Sequence, residues 1–447
     1  MKKILAVALC ALMLVTVFAG CNGNGGSSVN VVVEFEIDTE SFKGQELTWW
    51  THWDILDNQG DIARFNEATG ATVEYGNIGG GGVNAAYYSQ IANALAAGTG
   101  PDVCSIYGWA MPSWIRKGLL EPIDKVLKLE DPFWDQFGGW REVFNEGVMD
   151  FFNYEGKIYA WADRDVNPYY MIYRKDLFEE AGLDDPAELQ KKGEWNWNTF
   201  NEAMEELTYD SDDDGTIDKF GITGTLSEAF FGTVENGNFI RWREDGTPYF
   251  ALTDSDMIAC MEEESLVTQN WYDNSHGSWI NSFCAGNIAM LVSASWDWQK
   301  ACETFGTENI GWVQMPIAPS NTSGVVKNYV NAGGTAITNN IDCEGLVEHY
   351  LQYSYHSAWF TEYPEDVQSS WDEKVLASYG YSEELKAFEK QMEENVYIPN
   401  ASGWGALYDL VTQKVLWNYQ SGSVDQLVQS IAVAAQTIID DVFYDVD

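Results

Sequence analysis

Basic residues are scarce in this chain. The 24 Lys and Arg residues stand against 69 Asp and Glu residues, which gives a formal net charge of −45 at pH 7. Nucleic acids and anionic membrane surfaces attract proteins through positive potential, so this charge argues against either as the partner. Hydrophobic residues still make up 45% of the chain, so it has enough apolar material for a core and is not a disordered acidic protein.

Residues typical of metal and catalytic sites are also few. The four histidines form no His-Glu-x-x-His pattern, and no Gly-x-Ser-x-Gly segment supports serine hydrolysis. Two of the seven cysteines, Cys10 and Cys21, belong to the N-terminal region, and the odd remainder indicates neither a disulfide framework nor a zinc site. Paired carboxylates for glycoside cleavage stay open, because the many acidic residues offer many pairs. No cofactor is expected from these patterns.

Only one long apolar run occurs, from Ile4 to Phe18, and two lysines precede it. It is too short to span a bilayer and has signal-peptide flanks, so residues 1–20 are predicted to be a signal peptide. The following Ala19-Gly20-Cys21 resembles a bacterial lipoprotein signal, in which the cysteine is lipidated; release into the medium by an ordinary secretory signal is the alternative. Residues 21–43 are predicted to be a tether, because they begin rich in Gly, Ser and Asn.

The body of the chain alternates strand-like and helix-like segments, which predicts an α/β fold with a parallel sheet. Three early strands are expected at Leu47–Thr51, Ala71–Tyr75 and Pro101–Tyr107. A second α/β region begins near Tyr154, and Asn198 is the predicted N-cap of an amphipathic helix within it.

The segment Asn281–Lys300 reads as a helix end, a glycine turn at Gly286, a buried strand and two tryptophans where that strand stops. Open α/β sheets bind ligands beyond the carboxyl ends of their strands, so Trp296 and Trp298 occupy a site-like position. Core packing is the alternative for both, because large apolar residues are mostly structural.

Alternating carboxylates precede a glycine in the segment from Asp210 to Asp218. This pattern matches the opening of a calcium loop, with Asp210, Asp212, Asp214, Thr216 and Asp218 as the candidate ligands. Position 12 of the loop is Gly221 instead of a bidentate glutamate. A structural calcium ion and a solvated acidic turn are therefore both open.

Aromatic residues with polar neighbours recur at predicted strand ends. Sugars present apolar C–H faces and hydroxyl groups, so flat aromatic rings beside a few polar groups suit them. Core packing is the alternative for each pair, and the repetition at one topological place favours a carbohydrate site. The segments are Trp53-Asp54, Tyr107-Gly108-Trp109, Trp161-Ala162-Asp163-Arg164, Trp296-Asp297-Trp298 and Gly403-Trp404.

The order of several motifs resembles the carbohydrate-binding, maltose-binding-protein-like group of extracellular solute-binding proteins from bacterial ABC importers. The motifs cover nearly the whole mature chain, and YRKDLFEEAGL and FCAGNIAML are the most specific of them. The others are LTWWTHWD, PDVCSIYGWA with GLLEPID, WNWNTF, VQMPIAP with VNAGGTAIT, and IPNASGWGALYDLV.

This resemblance implies a type II periplasmic-binding-protein-like fold: two α/β lobes, a hinge between them and a ligand cleft. It implies lobe 1 at 44–165 and 314–370, and lobe 2 at 166–313 and at 371–447, which includes the C-terminal helices. The implied partners are a carbohydrate ligand and the permease of an ABC transporter, with the protein a monomer, lipid-anchored outside the cytoplasm and without catalytic activity. A secreted polysaccharide-cleaving glycoside hydrolase or lyase is the alternative function, and a surface adhesin is a third.

The resemblance also assigns positions within the cleft. Asp54 is expected to take sugar hydroxyls, Asn167 stands near the hinge, and Trp296 and Trp404 match stacking tryptophans, while Trp298 is expected in the core. Trp109-Ala110 replaces the acidic and basic pair of the family, and Asn167 replaces a carboxylate, which argues against maltose itself. The expected ligand-binding residues are Trp53, Asp54, Tyr107, Trp109, Trp161, Asp163, Arg164, Asn167, Glu228, Phe230, Trp296, Asp297, Gly333 and Trp404.

Overall fold

Two β-sheets, each with its own helices and core, organise the chain. The structure is a computed structural model. It describes residues 35–51, 61–78, 85–107, 111–144, 146–162, 167–330, 333–360, 382–393, 395–397 and 405–444.

The strands are β1 (Glu46–Thr51), β2 (Thr72–Asn77), β3 (Val103–Tyr107), β4 (Leu120–Glu121), β5 (Asn153–Tyr154), β6 (Lys157–Ile158), β7 (Ala160–Ala162), β8 (Tyr170–Arg174), β9 (Phe220–Gly224), β10 (Ile240–Trp242), β11 (Pro248–Phe250), β12 (Ile288–Ser293), β13 (Ile310–Val313), β14 (Asn328–Tyr329), β15 (Gly333–Thr338) and β16 (Val396–Tyr397).

The helices are α1 (Asp61–Thr69), α2 (Ala85–Ala96), α3 (Met111–Arg116), α4 (Trp140–Val143), α5 (Glu146–Met149), α6 (Lys175–Ala181), α7 (Pro186–Lys192), α8 (Trp197–Glu206), α9 (Ser227–Phe231), α10 (Ser255–Asn270), α11 (Trp279–Ser282), α12 (Trp298–Phe305), α13 (Glu344–Phe360), α14 (Glu383–Glu393), α15 (Gly405–Val411) and α16 (Val424–Tyr444). In the part of the chain that is described, no helix has the length and apolarity to cross a membrane.

The first sheet has the strand order β2-β1-β3-β15-β4, and β7 also pairs with β15. Strand β1 runs parallel to β2 and β3, as the alternation of strands and helices predicts. Strand β15 runs antiparallel to β3, so the sheet is mixed and the predicted parallel arrangement holds for β1, β2 and β3. The physical reason is that β15 enters this sheet on the return from the second lobe, whereas a strand-helix-strand crossover would have kept it parallel.

The first core lies on this sheet. It contains buried apolar residues between Leu47 and Trp161 and again between Val330 and Tyr353. Apolar residues from two distant parts of the sequence therefore bury one another in the first lobe, and this burial is the main force that holds the lobe together.

The second sheet has the order β13-β8-β12-β9. Strand β8 runs antiparallel to β12 and β13, and β9 runs parallel to β12. Side chains of β8 alternate between two cores, as a strand buried on both faces requires. Met171 and Tyr173 belong to the second core, while Tyr170 and Ile172 pack with Leu385 and Met392 on the opposite face.

The second core is built from three parts of the chain. It includes Met315, Ala318 and Val326, and it is completed by apolar residues of α15 and α16 from Leu407 to Ile439. The family resemblance implies that the chain returns to lobe 1 at residue 314. The side chains of Met315, Ala318 and Val326 nevertheless pack in the core of lobe 2. The first core resumes at Val330.

Helix α8 begins with a capping box, although the capping residue differs from the prediction. The N-cap is Asn196, whose side chain accepts hydrogen bonds from the backbone N–H groups of Asn198 and Thr199. Thr199 Oγ1 accepts in return from the Asn196 backbone nitrogen at 3.1 Å. Asn198 already lies inside the helix, so its assignment as the N-cap is wrong.

Three chain segments lie side by side between the two sheets. The Tyr169 backbone nitrogen donates to the Tyr329 carbonyl oxygen at 2.8 Å, and the Val330 nitrogen donates to the Tyr397 oxygen at 3.0 Å. Strand β14 pairs parallel with β16 at the same place. We call these segments, 167–169, 328–330 and 395–397, the hinge ribbon.

Residues 35–44, part of the predicted tether, pack on helix α13 of the first lobe. His349 lies between Phe35 and Phe42, with ring centroids 5.0 and 5.1 Å away. The Asp38 backbone nitrogen donates to His349 Nε2 at 3.0 Å, so this nitrogen must be unprotonated. We call residues 35–44 the strap.

Acidification is expected to weaken the strap. Burial lowers the pKa of His349 from its ordinary 6.5, while Asp38 on the strap and Glu348 on α13 oppose the shift. The unfolded chain therefore takes up a proton as pH falls below about 6.5, and the folded chain resists it, so stability is lost in that range. The stability advantage of the wild type over His349→Gln should be larger at pH 7.5 than at pH 5.5 in chemical denaturation. An advantage that is equal at both pH values would contradict this assignment.

Candidate functional site

The ends of four strands meet at one edge of the second sheet. Register places Ser293 opposite Tyr170, Val292 opposite Gly224, and Val313 opposite Met171. Strands β9, β12 and β13 therefore end where β8 begins. This is the edge at which open α/β sheets bind ligands, and we call it the binding edge.

Gly224 brings two of these strand ends close together. Its φ is +119°, and a Cβ there would stand 2.2 Å from the Val292 carbonyl oxygen. The next residue, Thr225, donates its backbone N–H to the same oxygen at 3.1 Å. A side chain at position 224 would thus separate β9 from β12.

Trp296 stands on the binding edge, in a 3-10 turn formed by Ser295–Asp297 directly after β12. Its side chain is 40% exposed. Tyr169 meets the indole edge-on, with ring centroids 5.4 Å apart and an interplanar angle of 80°. Tyr329 lies 4.8 Å beyond Tyr169. An aromatic row therefore runs from the hinge ribbon to an accessible indole.

Trp298 has the opposite environment. It is buried and begins α12, where it packs edge-on against Trp312 at 5.2 Å. The prediction that Trp298 belongs to the core is confirmed. The preceding glycine turn is also present, since Gly286 has a φ of +91° between α11 and β12.

Polar side chains flank Trp296. Ser295 Oγ donates to Asn167 Oδ1 at 2.8 Å, which joins the hinge ribbon to the turn. Asp297 accepts a hydrogen bond from Ser293 Oγ at 2.5 Å. Burial raises the pKa of Asp297, although the Ser293 hydrogen bond and the charge of Lys300 oppose the shift. Asn167 and Asp297 are both partly buried beside the indole.

Glu228 follows the end of β9 and lies on α9, so it also belongs to the binding edge. Its Oε1 accepts a hydrogen bond from the Tyr408 hydroxyl at 2.5 Å, which links α9 to α15. Burial, with the charge of Glu228, raises the pKa of Tyr408 above its ordinary value. The Tyr408 hydroxyl therefore stays protonated and holds the carboxylate in place.

Two expected ligand-binding side chains are buried instead. Trp161 is 2% exposed and packs in the first core against Trp49, and Phe230 is fully buried in the second core against Phe200. Neither ring offers a surface to a ligand in this structure, which argues against direct contact by either. Trp161 is the central residue of β7 and lies opposite Thr335 of β15.

The first sheet contributes a second edge. Tyr107 ends β3 and lies opposite Gly333, which begins β15. These two expected positions are therefore backbone neighbours. Trp53, Asp54, Trp109, Asp163, Arg164, Trp404 and the lipidation residue Cys21 lie outside the described residues.

Comparison with known proteins identifies the family. The model of the bacterial extracellular solute-binding protein family matches residues 58–342. The chain belongs to this family. A binding protein of Brucella abortus (strain 2308) is 21% identical to this solute-binding protein over 365 residues, which are 78% of this chain and 82% of the relative.

Solved structures show the same two-lobe type II fold. The GacH receptor of Streptomyces glaucescens, described unliganded and in complex with acarbose, has a TM-score of 0.63 at 17% identity and covers 89% of this chain and 99% of its own. The maltose/maltodextrin-binding domain MalE from Bdellovibrio bacteriovorus, bound to maltotriose, has a TM-score of 0.62 at 18% identity and covers 90% of this chain and 100% of its own. The predicted fold class is confirmed.

The acidic loop of this solute-binding protein lies before β9, at the opposite end of that strand from the binding edge. Carboxylate oxygens of Asp210, Asp212 and Asp214 lie within 4.8 Å of one another. Asp210 also accepts hydrogen bonds from backbone N–H groups, the shortest from Gly215 at 2.6 Å. Asp218 accepts a hydrogen bond from the side-chain hydroxyl of Ser211 at 2.6 Å. These hydrogen bonds lower the pKa of Asp210 and Asp218.

The remaining positions of the calcium pattern contribute less. Thr216 donates its backbone nitrogen to Asp214 Oδ1 at 2.8 Å, and Gly221 at position 12 is buried within β9. A calcium ion at this loop stays a prediction. Its distance along β9 from the binding edge fits a structural role better than a direct role in ligand binding.

Sequence reasoning missed a buried polar cluster behind the binding edge. Glu264 of α10 is buried, and its carboxylate accepts hydrogen bonds from the hydroxyls of Ser227 on α9 and Tyr419 before α16. The Tyr419 contact measures 2.7 Å. Glu264 therefore ties α9, the helix that carries Glu228, to the C-terminal part of the lobe. A glutamate within a long polar-looking helix gives no sequence signal of this role.

Glu264 is expected to make stability depend on pH. Burial raises its pKa from 4.5 to about 7, so the folded chain holds a proton there that the unfolded chain releases. Stability from this group is full below pH 4.5 and is lost as pH rises toward 7. The loss is on the order of 3 kcal/mol.

Replacement of Glu264 by Gln should remove this dependence. Relative to the wild type, the free energy of unfolding of Glu264→Gln should rise by roughly 2–3 kcal/mol between pH 4.5 and pH 8 in urea titrations. Gln keeps the size of the side chain and can still accept from Ser227 or Tyr419. A stability difference that does not change over this range would show that the carboxyl group does not titrate there.

Proposed function

We propose that this protein is an extracytoplasmic receptor that binds a sugar or oligosaccharide between its lobes and delivers it to the permease of an ABC transporter. The main support for this proposal is the accessible indole of Trp296 on the binding edge. Its ring contacts Tyr169 of the hinge ribbon, and its chain neighbours are Asp297 and Ser295, which hydrogen-bonds Asn167. A flat ring with convergent polar groups suits the C–H faces and hydroxyls of a sugar. The acarbose complex of GacH and the maltotriose complex of MalE support the same ligand class.

The proposed mechanism is hinge closure. The second-lobe part of the site lies next to the hinge ribbon, and the first sheet would contribute its strand ends at Tyr107 and Gly333, which lie opposite each other. A ligand that touches both edges interacts more strongly with the closed form and shifts the population toward it. The permease would then recognise the closed, monomeric receptor.

Binding without cleavage is part of the proposal. Glu228 is held by Tyr408 and Asp297 by Ser293, so these two carboxylates of the binding edge each serve a structural contact. A bound oligosaccharide recovered intact after overnight incubation is the expected result. Shortened products from the wild type would favour the glycoside hydrolase or lyase alternative.

Replacement of Trp296 tests the ligand assignment. Isothermal titration of the mature protein against an oligosaccharide panel should detect binding, and Trp296→Ala should weaken it by about 1–3 kcal/mol through the loss of a stacking surface. Trp417→Ala is the matched control, because Trp417 is 75% exposed in a turn near the C-terminus. Equal affinity of wild type and Trp296→Ala, with both folded, would remove Trp296 from the site.

Lipid attachment at Cys21 is the proposed means of retention at the bacterial cell membrane. It is supported by the small residues before Cys21 and by the apolar run that precedes them. Cys21→Ser should shift the protein from the membrane fraction to the medium or periplasmic extract, as measured by immunoblotting. Retention of the variant in detergent-extracted membranes would rule out this anchor.

A further inference from the structure

A second partly exposed tryptophan lies in the same lobe as Trp296. Trp279 is the first residue of α11, and its side chain is 39% exposed, close to the exposure of Trp296. Its position is not among those that the sequence motifs assign to the ligand.

Tyr272 places Trp279 relative to the second sheet. The Tyr272 backbone lies beside β9, because the Ile222 nitrogen donates to the Trp271 oxygen at 3.1 Å and the Asp273 nitrogen donates to the Ile222 oxygen at 3.1 Å. The Tyr272 hydroxyl reaches toward the carboxyl end of the strand, 3.5 Å from the Gly224 carbonyl oxygen. Burial raises the pKa of this hydroxyl, and the neighbouring Trp279 side chain opposes that shift.

The path of the chain agrees with this position. Helix α11 packs on β9 and β12 and continues through the turn of Phe283–Asn287 to the start of β12. It therefore runs back along the sheet, with its first residue toward the binding edge. Helical side chains lean toward the helix N-terminus, so the Trp279 indole extends toward that same edge.

The two indoles flank the joined ends of β9 and β12. Trp296 lies on the hinge side, against Tyr169, and Trp279 begins α11, which packs on β9 and β12. Two strand spacings separate β12 from the backbone at Tyr272, a distance of roughly 10 Å at about 4.8 Å for each spacing. A sugar ring stacked on one indole leaves the other indole uncovered, whereas an oligosaccharide can contact both.

The surroundings of Trp279 also suit a sugar. The segment before it carries Asp273, Asn274, Ser275 and His276, of which the last three are exposed. These side chains provide donors and acceptors for hydroxyl groups beside a flat ring.

We propose that Trp279 is a second stacking surface, a subsite for a sugar residue distant from the one on Trp296, and that it makes the receptor prefer oligosaccharides over monosaccharides. The proposal rests on the proposed function, since it names a specificity-determining residue of that same site. It predicts an effect of Trp279 that depends on ligand length.

The test uses two homologous series: glucose to maltohexaose, and galactose to β-linked galacto-oligosaccharides. Wild type, Trp279→Leu, Trp279→Phe and the control Trp417→Ala are titrated by calorimetry, with the thermal midpoint of each variant as the check on folding. Leu keeps apolar volume but lacks a flat face, so a merely structural role would survive this change. Phe keeps a flat face.

We expect Trp279→Leu to raise the Kd of the longer oligosaccharides about 5- to 10-fold and that of the shortest bound member less than about 2-fold. Trp279→Phe should stay within about 3-fold of the wild type for every length, and Trp417→Ala should be unchanged. If Leu destabilises the fold, the same length-dependent comparison is made with Trp279→Met, which keeps apolar volume and also lacks a flat ring.

The outcomes distinguish a failure of the Trp279 subsite from a failure of the proposed receptor function. Binding by the wild type with no effect at Trp279, or with an equal effect at every length, would overturn the subsite and leave the receptor function intact. A length-independent loss in both Trp279→Leu and Trp279→Phe would assign Trp279 to the support of the lobe. Absence of binding to both series by the folded wild type would count against the sugar receptor and the subsite together.

Discussion

Hydrogen-bond register in the second sheet is the constraint on which the candidate site depends. It ends β9, β12 and β13 at the place where β8 begins, so residues that are far apart in sequence share one edge. A slip of one residue would turn every side chain of a strand to the opposite face. The two distinct cores on the faces of β8 resist such a slip, because Met171 and Ile172 would have to exchange environments. Packing thus fixes where Trp296 leaves the sheet.

The hinge ribbon connects this edge to the motion that the function requires. Tyr169 belongs to the ribbon through its backbone and to the binding edge through its ring, which touches Trp296. Asn167 makes a second connection through Ser295. In the proposed mechanism, a rotation of the lobes about the ribbon would act directly on the groups at the binding edge. Ligand contact and lobe closure would then share the same few residues.

The buried carboxyl group of Glu264 shows how the C-terminal segment supports the site. It accepts hydrogen bonds from the hydroxyls of Ser227 on α9 and of Tyr419 before α16. The hydroxyl of Tyr408 on α15 donates to Glu228 on α9. Buried polar groups are costly unless they are paired, so this arrangement specifies one docking position for α15 and the segment before α16. The position of the Glu228 carboxylate follows from this packing and not from α9 alone.

Much of this organisation could be predicted from the sequence. The turn at Gly286, the strand after it and the different environments of Trp296 and Trp298 follow from local patterns and family resemblance. Trp161 illustrates the limit, since a short aromatic strand beside polar residues looks like a strand end, although the ring packs in the first core against Trp49. The contacts of Tyr169, Glu264 and Trp279 depend on pairings between segments far apart in sequence, which no local pattern contains.

Small-angle X-ray scattering measures directly whether the two lobes close around a sugar, because closure makes the protein more compact. The mature protein is measured alone and at a saturating concentration of an oligosaccharide whose binding has been established by calorimetry. The radius of gyration should decrease on saturation and should decrease less for the folded Trp296→Ala variant at the same ligand concentration, which saturates that variant only in part. A radius of gyration that stays constant while the wild type is fully bound would contradict closure and favour a glycan-binding surface without lobe movement.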